Sequence, residues 1–162
     1  MKRLYIILIL LLVSISAIAQ DGRAIYNKYS DLPGVEAVYI SSAMFRLIGK
    51  IPDVELGNED VNLAPIIKNL KGFYIISTED KSTADNLYAD VKQRLDRGEY
   101  EMLMEAKDSG EVMRLYTAGD DFTVRSFIML TRDASEVSFM GLDGEMPRDQ
   151  LEDLVAKAVA TE

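Results

Sequence analysis

From Tyr100 to Gly141 the chain repeats one pattern: short runs in which apolar and polar residues alternate, each closed by turn-forming residues. Successive side chains of an extended strand point to opposite faces, so such a run makes a ribbon with one apolar side, and ribbons joined by tight turns pair antiparallel. Tyr100, Met102, Met104 and Ala106 alternate with acids, which favours a strand over a helix, and Asp108-Ser109-Gly110 then turns the chain. Residues 111–117 form the next run, Gly119-Asp120-Asp121 turns it, 122–131 alternates again, 136–141 adds a last strand, and Asp143-Gly144 marks another turn. The segment from Tyr100 to Gly144 is thereby committed to hairpins.

The residues on either side change period. Ala84, Leu87, Tyr88, Val91 and Leu95 form one apolar stripe at helical spacing, with Ser82-Thr83-Ala84-Asp85 as a capping-box start and Gly98 as a stop. Ile25, Tyr26, Tyr29 and Leu32 predict a short helix before Pro33-Gly34. Residues 35–40 read as a strand, Ser41 or Ser42 caps a helix containing Met44, Phe45 and Leu47, a short helix is expected over 63–70, and 73–77 reads as a buried strand. Pro147 opens a last helix with Leu151, Leu154, Val155 and Ala158 facing inward. The expected order is αβα, αβα, ββββα. It predicts an α+β fold with a mixed or largely antiparallel sheet of about five or six strands and helices mainly on one face.

Within 122–131, Val124, Ser126, Ile128 and Leu130 are expected to share one face and Thr123, Arg125, Phe127, Met129 and Thr131 the other. Arg125 places the second face partly in water, which makes Arg125, Phe127 and Met129 the candidate interaction surface. Met102, Met104, Met113, Met129 and Met140 fall in adjacent predicted strands, where flexible thioethers serve as core filling or as an adaptable binding face.

The first residues have an address rather than a fold. Lys2 and Arg3 precede an apolar run from Leu4 to Val13, and Ala17 and Ala19 suit a signal peptidase. The run is shorter than the roughly 20 residues that cross a bilayer. Cleavage after Ala19 is expected, leaving residues 20–162 as a single exported domain, periplasmic or secreted, with no membrane span. No cysteine follows the cleavage point, so lipid attachment there has no acceptor. Cleavage deletes two of 18 basic residues and none of the 27 acidic ones, moving the formal charge from -9 to -11. Such a surface repels nucleic acid unless its basic residues cluster, and Lys68, Lys71, Arg94 and Arg97 lie scattered among acids.

The chain contains no histidine, cysteine or tryptophan. Without histidine there is no Ser-His-Asp triad, and without either residue no Cys-His dyad, His-based zinc site or haem attachment. Ser41 and Ser42 lack the glycines of a nucleophile elbow, and no S-x-x-K occurs. Asp120-Asp121 and Asp143/Glu145 remain as paired carboxylates for glycoside chemistry, but both pairs fall at predicted turns, where acids are ordinarily solvated. Asp53, Glu55, Asn58, Glu59 and Asp60 offer oxygen ligands for calcium, without EF-hand spacing. No catalytic residue, metal site or cofactor is assigned.

Three stretches together resemble a known family: Gly34-Val35-Glu36-Ala37-Val38-Tyr39-Ile40-Ser41 running into Met44-Phe45, then Leu70-Lys71-Gly72-Phe73-Tyr74-Ile75, then Tyr100-Glu101-Met102-Leu103-Met104 with a later strand closing at Met140-Gly141. They are similar to DUF4252, an exported domain of unknown function seen mainly in Bacteroidota. The resemblance spans nearly the whole mature chain, implies an exported α+β domain, and carries no catalytic residues. The function expected is a non-enzymatic exported module that binds a protein or envelope component through its sheet face or a strand edge, in envelope maintenance or signalling. The partner is an envelope protein or a second copy of the chain. The alternative is a carboxylate-based hydrolase of envelope or extracellular glycans.

Overall fold

The computed structural model describes residues 21–48 and 68–152. The expected leader, the acid-rich 49–62 segment with its calcium candidates, most of the helix expected over 63–70, and Leu154, Val155 and Ala158 lie outside those residues.

The described elements are α1 (Asp21–Tyr29), β1 (Val35–Ser41), α2 (Ser42–Ile48), β2 (Leu70–Thr78), α3 (Lys81–Leu95), β3 (Glu101–Asp108), β4 (Glu111–Gly119), β5 (Thr123–Arg132) and β6 (Val137–Pro147). Residues 148–152 are helical again. The strands form one sheet in the order β1-β2-β6-β5-β4-β3, and every neighbouring pair is antiparallel. After β2, α3 carries the chain to the far edge, and β3 to β6 return strand by strand until β6 lies beside β2. The fold is α+β with an antiparallel six-stranded sheet.

Local chemistry sets the joints. Ser109 and Gly110 both adopt positive φ (46° and 98°) between the paired residues Asp108 and Glu111, the geometry that a two-residue hairpin requires. Asp120 Oδ1 accepts the backbone N–H of Phe122 and Thr123 at 3.0 and 2.9 Å and fixes the β4–β5 turn. Ser41 Oγ accepts the Met44 N–H at the start of α2. Helix α3 begins earlier than its Ser82 box implies, because Asp80 accepts the Thr83 N–H at 2.9 Å and becomes the N-cap.

Two helices lie on one face of the sheet. Ile25 and Tyr29 of α1 and Ala84, Leu87, Val91 and Leu95 of α3 pack with Ile76, Ile128, Leu130, Val137 and Phe139, all buried. Helix α1 reaches β6 through a glycine contact: a Cβ on Gly141 would stand 3.4 Å from the Gly22 Cα and 3.0 Å from the Phe139 ring. At the end of the sheet near α2 a second cluster forms on the opposite face, where Phe45 and Leu151 meet Leu70, Val124 and Met146.

That second cluster corrects the expected faces. The β4–β5 register shifts between Ala118 and Gly119, β5–β6 between Val124 and Ser126, and β2–β6 between Leu70 and Gly72. An extra residue in a strand interrupts the alternation, so Val124 joins Met146 on the face of Phe127 rather than that of Ile128. Strand β6 also continues through Asp143-Gly144 to Pro147, where a turn was expected. Asp143 is held inside the sheet between Gly72 and Ser126, and the register irregularity takes up what a turn would have done.

Candidate functional site

Cross-strand partners share a face, so the register defines rows of side chains across the sheet. On the face opposite α1 and α3 one row runs through all six strands: Val38, Ile75, Met140, Met129, Leu115 and Met104. All six are apolar. Val38 is 47% exposed, Leu115 is buried, and the other four are half-buried. A second row, Ile40, Phe73, Leu142 and Phe127, packs against the Phe45 and Leu151 cluster. On the other side the row through Glu36, Ser77, Ser138 and Thr131 is polar and bounds the strip.

The three candidate residues separate here. Phe127 and Met129 lie on this face, half-buried, as parts of the two apolar rows. Arg125 stands opposite the register shift, exposed, and pairs with Asp120 Oδ2 at 2.7 Å. It serves the β4–β5 turn as well as the rim of the strip. Of the methionines, Met104, Met113, Met129 and Met140 share this face by register, whereas Met102, displaced by the β3 shift between Met102 and Met104, is 52% exposed beside Tyr116.

On the helical face lies a polar cluster that the alternating pattern hides. Asp21 at the start of α1 accepts from the Arg94 guanidinium at 2.5 Å and from the Tyr100 hydroxyl at 3.2 Å. The Tyr100 oxygen is 3.4 Å from Ser126 Oγ, which donates to Asp143 Oδ1 at 3.1 Å. Asp143 Oδ2 closes no hydrogen bond with any described residue, and a Cβ on Gly22 would stand 3.0 Å from it. Burial pushes the Asp143 carboxyl up to about 6, with Asp21 adding repulsion, against the Ser126 hydroxyl, the Arg23 backbone N–H and Lys71, which favour the anion. Burial likewise raises the phenol of Tyr100, and that of Tyr74 to about 12.

Asp143 is therefore neither at a turn nor solvated, contrary to the expectation; Glu145 is exposed, 3.6 Å from Lys71. Asp120 keeps its expected place at a turn, held below the usual carboxylate range by the N–H groups of Phe122 and Thr123 and by Arg125. Asp21, at the start of α1, and Asp143, beneath it, are both buried, 6% and 2% exposed. The cluster ties α1 to α3, β5 and β6. Ser126→Ala removes the hydroxyl that donates to Asp143 Oδ1, and chemical denaturation at pH 7 is expected to show a loss of about 1–3 kcal/mol.

The model of the family described as a domain of unknown function, DUF4252, matches residues 29–154. The chain belongs to the DUF4252 family. No curated protein and no solved structure matches it. The DUF4252 match takes in every strand of the sheet, so the apolar strip lies within the family domain, as do Arg94, Tyr100, Ser126 and Asp143; Asp21 falls before the matched residues. The polar cluster escaped the sequence reading because its hydrogen-bonded partners lie up to 79 positions apart. One signal was available: Ser126 stands in register with Ile128 and Leu130, a polar residue on an inward face. Among the described residues no helix is long and apolar enough to cross a membrane.

Proposed function

We propose that this DUF4252 chain is an exported, non-enzymatic module that binds a protein or envelope component through the sheet face opposite α1 and α3. The observation that carries the reading is the row Val38, Ile75, Met140, Met129, Leu115 and Met104, apolar in every strand and half-exposed over most of its length. Contiguous exposed apolar surface of this kind marks interaction sites, and thioethers adapt to an irregular partner. Phe127 and Met129 lie within the strip and Arg125 at its end. The apolar leader supports export, and the missing histidine and cysteine favour binding over catalysis.

The test is crosslinking in living cells with the tagged protein, comparing the native chain with Met129→Asp and with Thr131→Asp, the latter on the polar row. The native protein and Thr131→Asp are expected to capture the same envelope component, and Met129→Asp to reduce that capture at least about tenfold, corresponding to ~1.4 kcal/mol. Circular dichroism checks that both variants are folded. Equal capture by all three proteins removes the face from the proposal, and no specific capture sends the question to substrate panels.

A further inference from the structure

The two edges of the sheet are built differently. Strand β3, at one edge, carries Glu101, Glu105, Lys107 and Asp108 and a register shift at Leu103. Charges and bulges are the devices by which an edge strand refuses a neighbour. Strand β1, at the other edge, has one charged residue, Glu36, and pairs with β2 without a shift from Val35–Thr78 to Ser41–Gly72. On its outer side β1 has no strand partner among the described residues. Val38 and Tyr39 are 47% and 40% exposed, and exposed apolar side chains also occupy the segments that enter and leave the strand: Leu32, Met44 and Leu47. Tyr39 stacks on its cross-strand partner Tyr74 with ring centroids 5.2 Å apart, a contact that holds β1 to its inner neighbour.

We infer that β1 pairs antiparallel with β1 of a second copy of this chain, about a two-fold axis at Val38, joining two sheets edge to edge. Val38 is the midpoint of Val35–Ser41, so this register alone lets all seven residues of each strand find a partner. It sets Glu36 across from Ile40 of the second copy and Ala37 across from Tyr39, and no like charges meet. It sets Val38 against Val38, so the apolar row of one sheet continues into that of the other. A two-fold pairing is isologous and closes on itself, which stops the edge from templating a longer stack. The inference is independent of the binding reading, because pairing through backbone edges leaves both sheet faces uncovered.

The chain has no cysteine, so single substitutions report the register directly. Protein purified from cells expressing the full chain is measured by sedimentation equilibrium over a concentration series, with circular dichroism of each variant. The native protein is expected as a dimer. Val38→Glu, which puts two carboxylates on the axis, is expected to be folded and at least tenfold weaker in association. Under mild oxidation Val38→Cys is expected to run as a disulfide-linked dimer on a denaturing gel, while Glu36→Cys and Glu105→Cys stay monomeric. A native protein that is monomeric at every concentration overturns the inference, as does a dimer linked through Glu105→Cys, or one linked through Glu36→Cys in preference to Val38→Cys. A monomer whose β1 edge instead takes a strand from another protein overturns self-pairing as well.

Discussion

Phe139→Ala is expected to lower unfolding stability by about 3–5 kcal/mol, the range for removing a buried aromatic ring. Phe139 is fully buried on β6, paired with Ile76 of β2 and Leu130 of β5, and its ring leans into the space that Gly141 leaves free beneath Gly22. Truncation therefore opens a cavity where β2, β5, β6 and α1 meet. Collapse into it is limited, because the backbone on three sides is fixed by sheet pairing. Domains of this kind have about 5–15 kcal/mol in total, so the variant should sit near the threshold of folding at 37 °C. Denaturant titration should show a lower midpoint with an unchanged slope. Phe122→Ala is the matched control: the same atoms leave a side chain 83% exposed, with an effect expected within about 0.5 kcal/mol. If the two variants unfold alike, the core is not centred on β6.

The second large effect is a pH dependence. Asp143 titrates near 6 in the folded chain, against 3.8 for the ordinary side chain. A raised value means that the folded state holds its proton more tightly than the unfolded state. The associated stability is present below about pH 4 and lost as pH rises through 6. Above that the buried anion costs on the order of 3 kcal/mol. The groups acting on it are Asp21 and the Arg23 N–H from α1, Lys71 from β2 and Ser126 from β5. Asp143→Asn does not titrate, so the stability of the variant minus that of the native protein isolates the carboxyl. That difference is expected to shift in favour of the variant by about 2–3 kcal/mol between pH 4 and pH 7.5. The exposed carboxylates held below their usual range, Asp85 and Asp120 among them, act in the opposite sense at low pH and cancel in the difference. A flat difference would mean that Asp143 is hydrated or paired in solution.

What was legible in the sequence followed from local periodicity. Alternation revealed every strand from 101 to 141, and the stripe Ala84, Leu87, Val91 and Leu95 is the buried face of α3. What failed needed partners distant in the chain. Val124 changed faces because of register shifts that depend on how β4, β5 and β6 meet, and no window around Val124 contains them. The turn read at Asp143-Gly144 rested on composition, but Asp143 is drawn inward by Ser126 and the start of α1. The candidate strip was legible in one strand, as Phe127 and Met129. Its continuation through Val38, Ile75, Met140, Leu115 and Met104 required the pairing order.

The strand that completes the sheet is the last of the six described strands in chain order. Strand β6 separates β2 from β5, so before Val137–Pro147 is in place the β1–β2 pair and the β3–β4–β5 meander share no strand pairing and are bridged only by the helices that pack on both. Closing them demands contacts between residues 70–78 and 137–144, a long loop whose entropy is lost in one step. Closure of the sheet during synthesis therefore waits until β6 has been made. The strand order thus sets when the sheet can close, through the place of β6 in the chain.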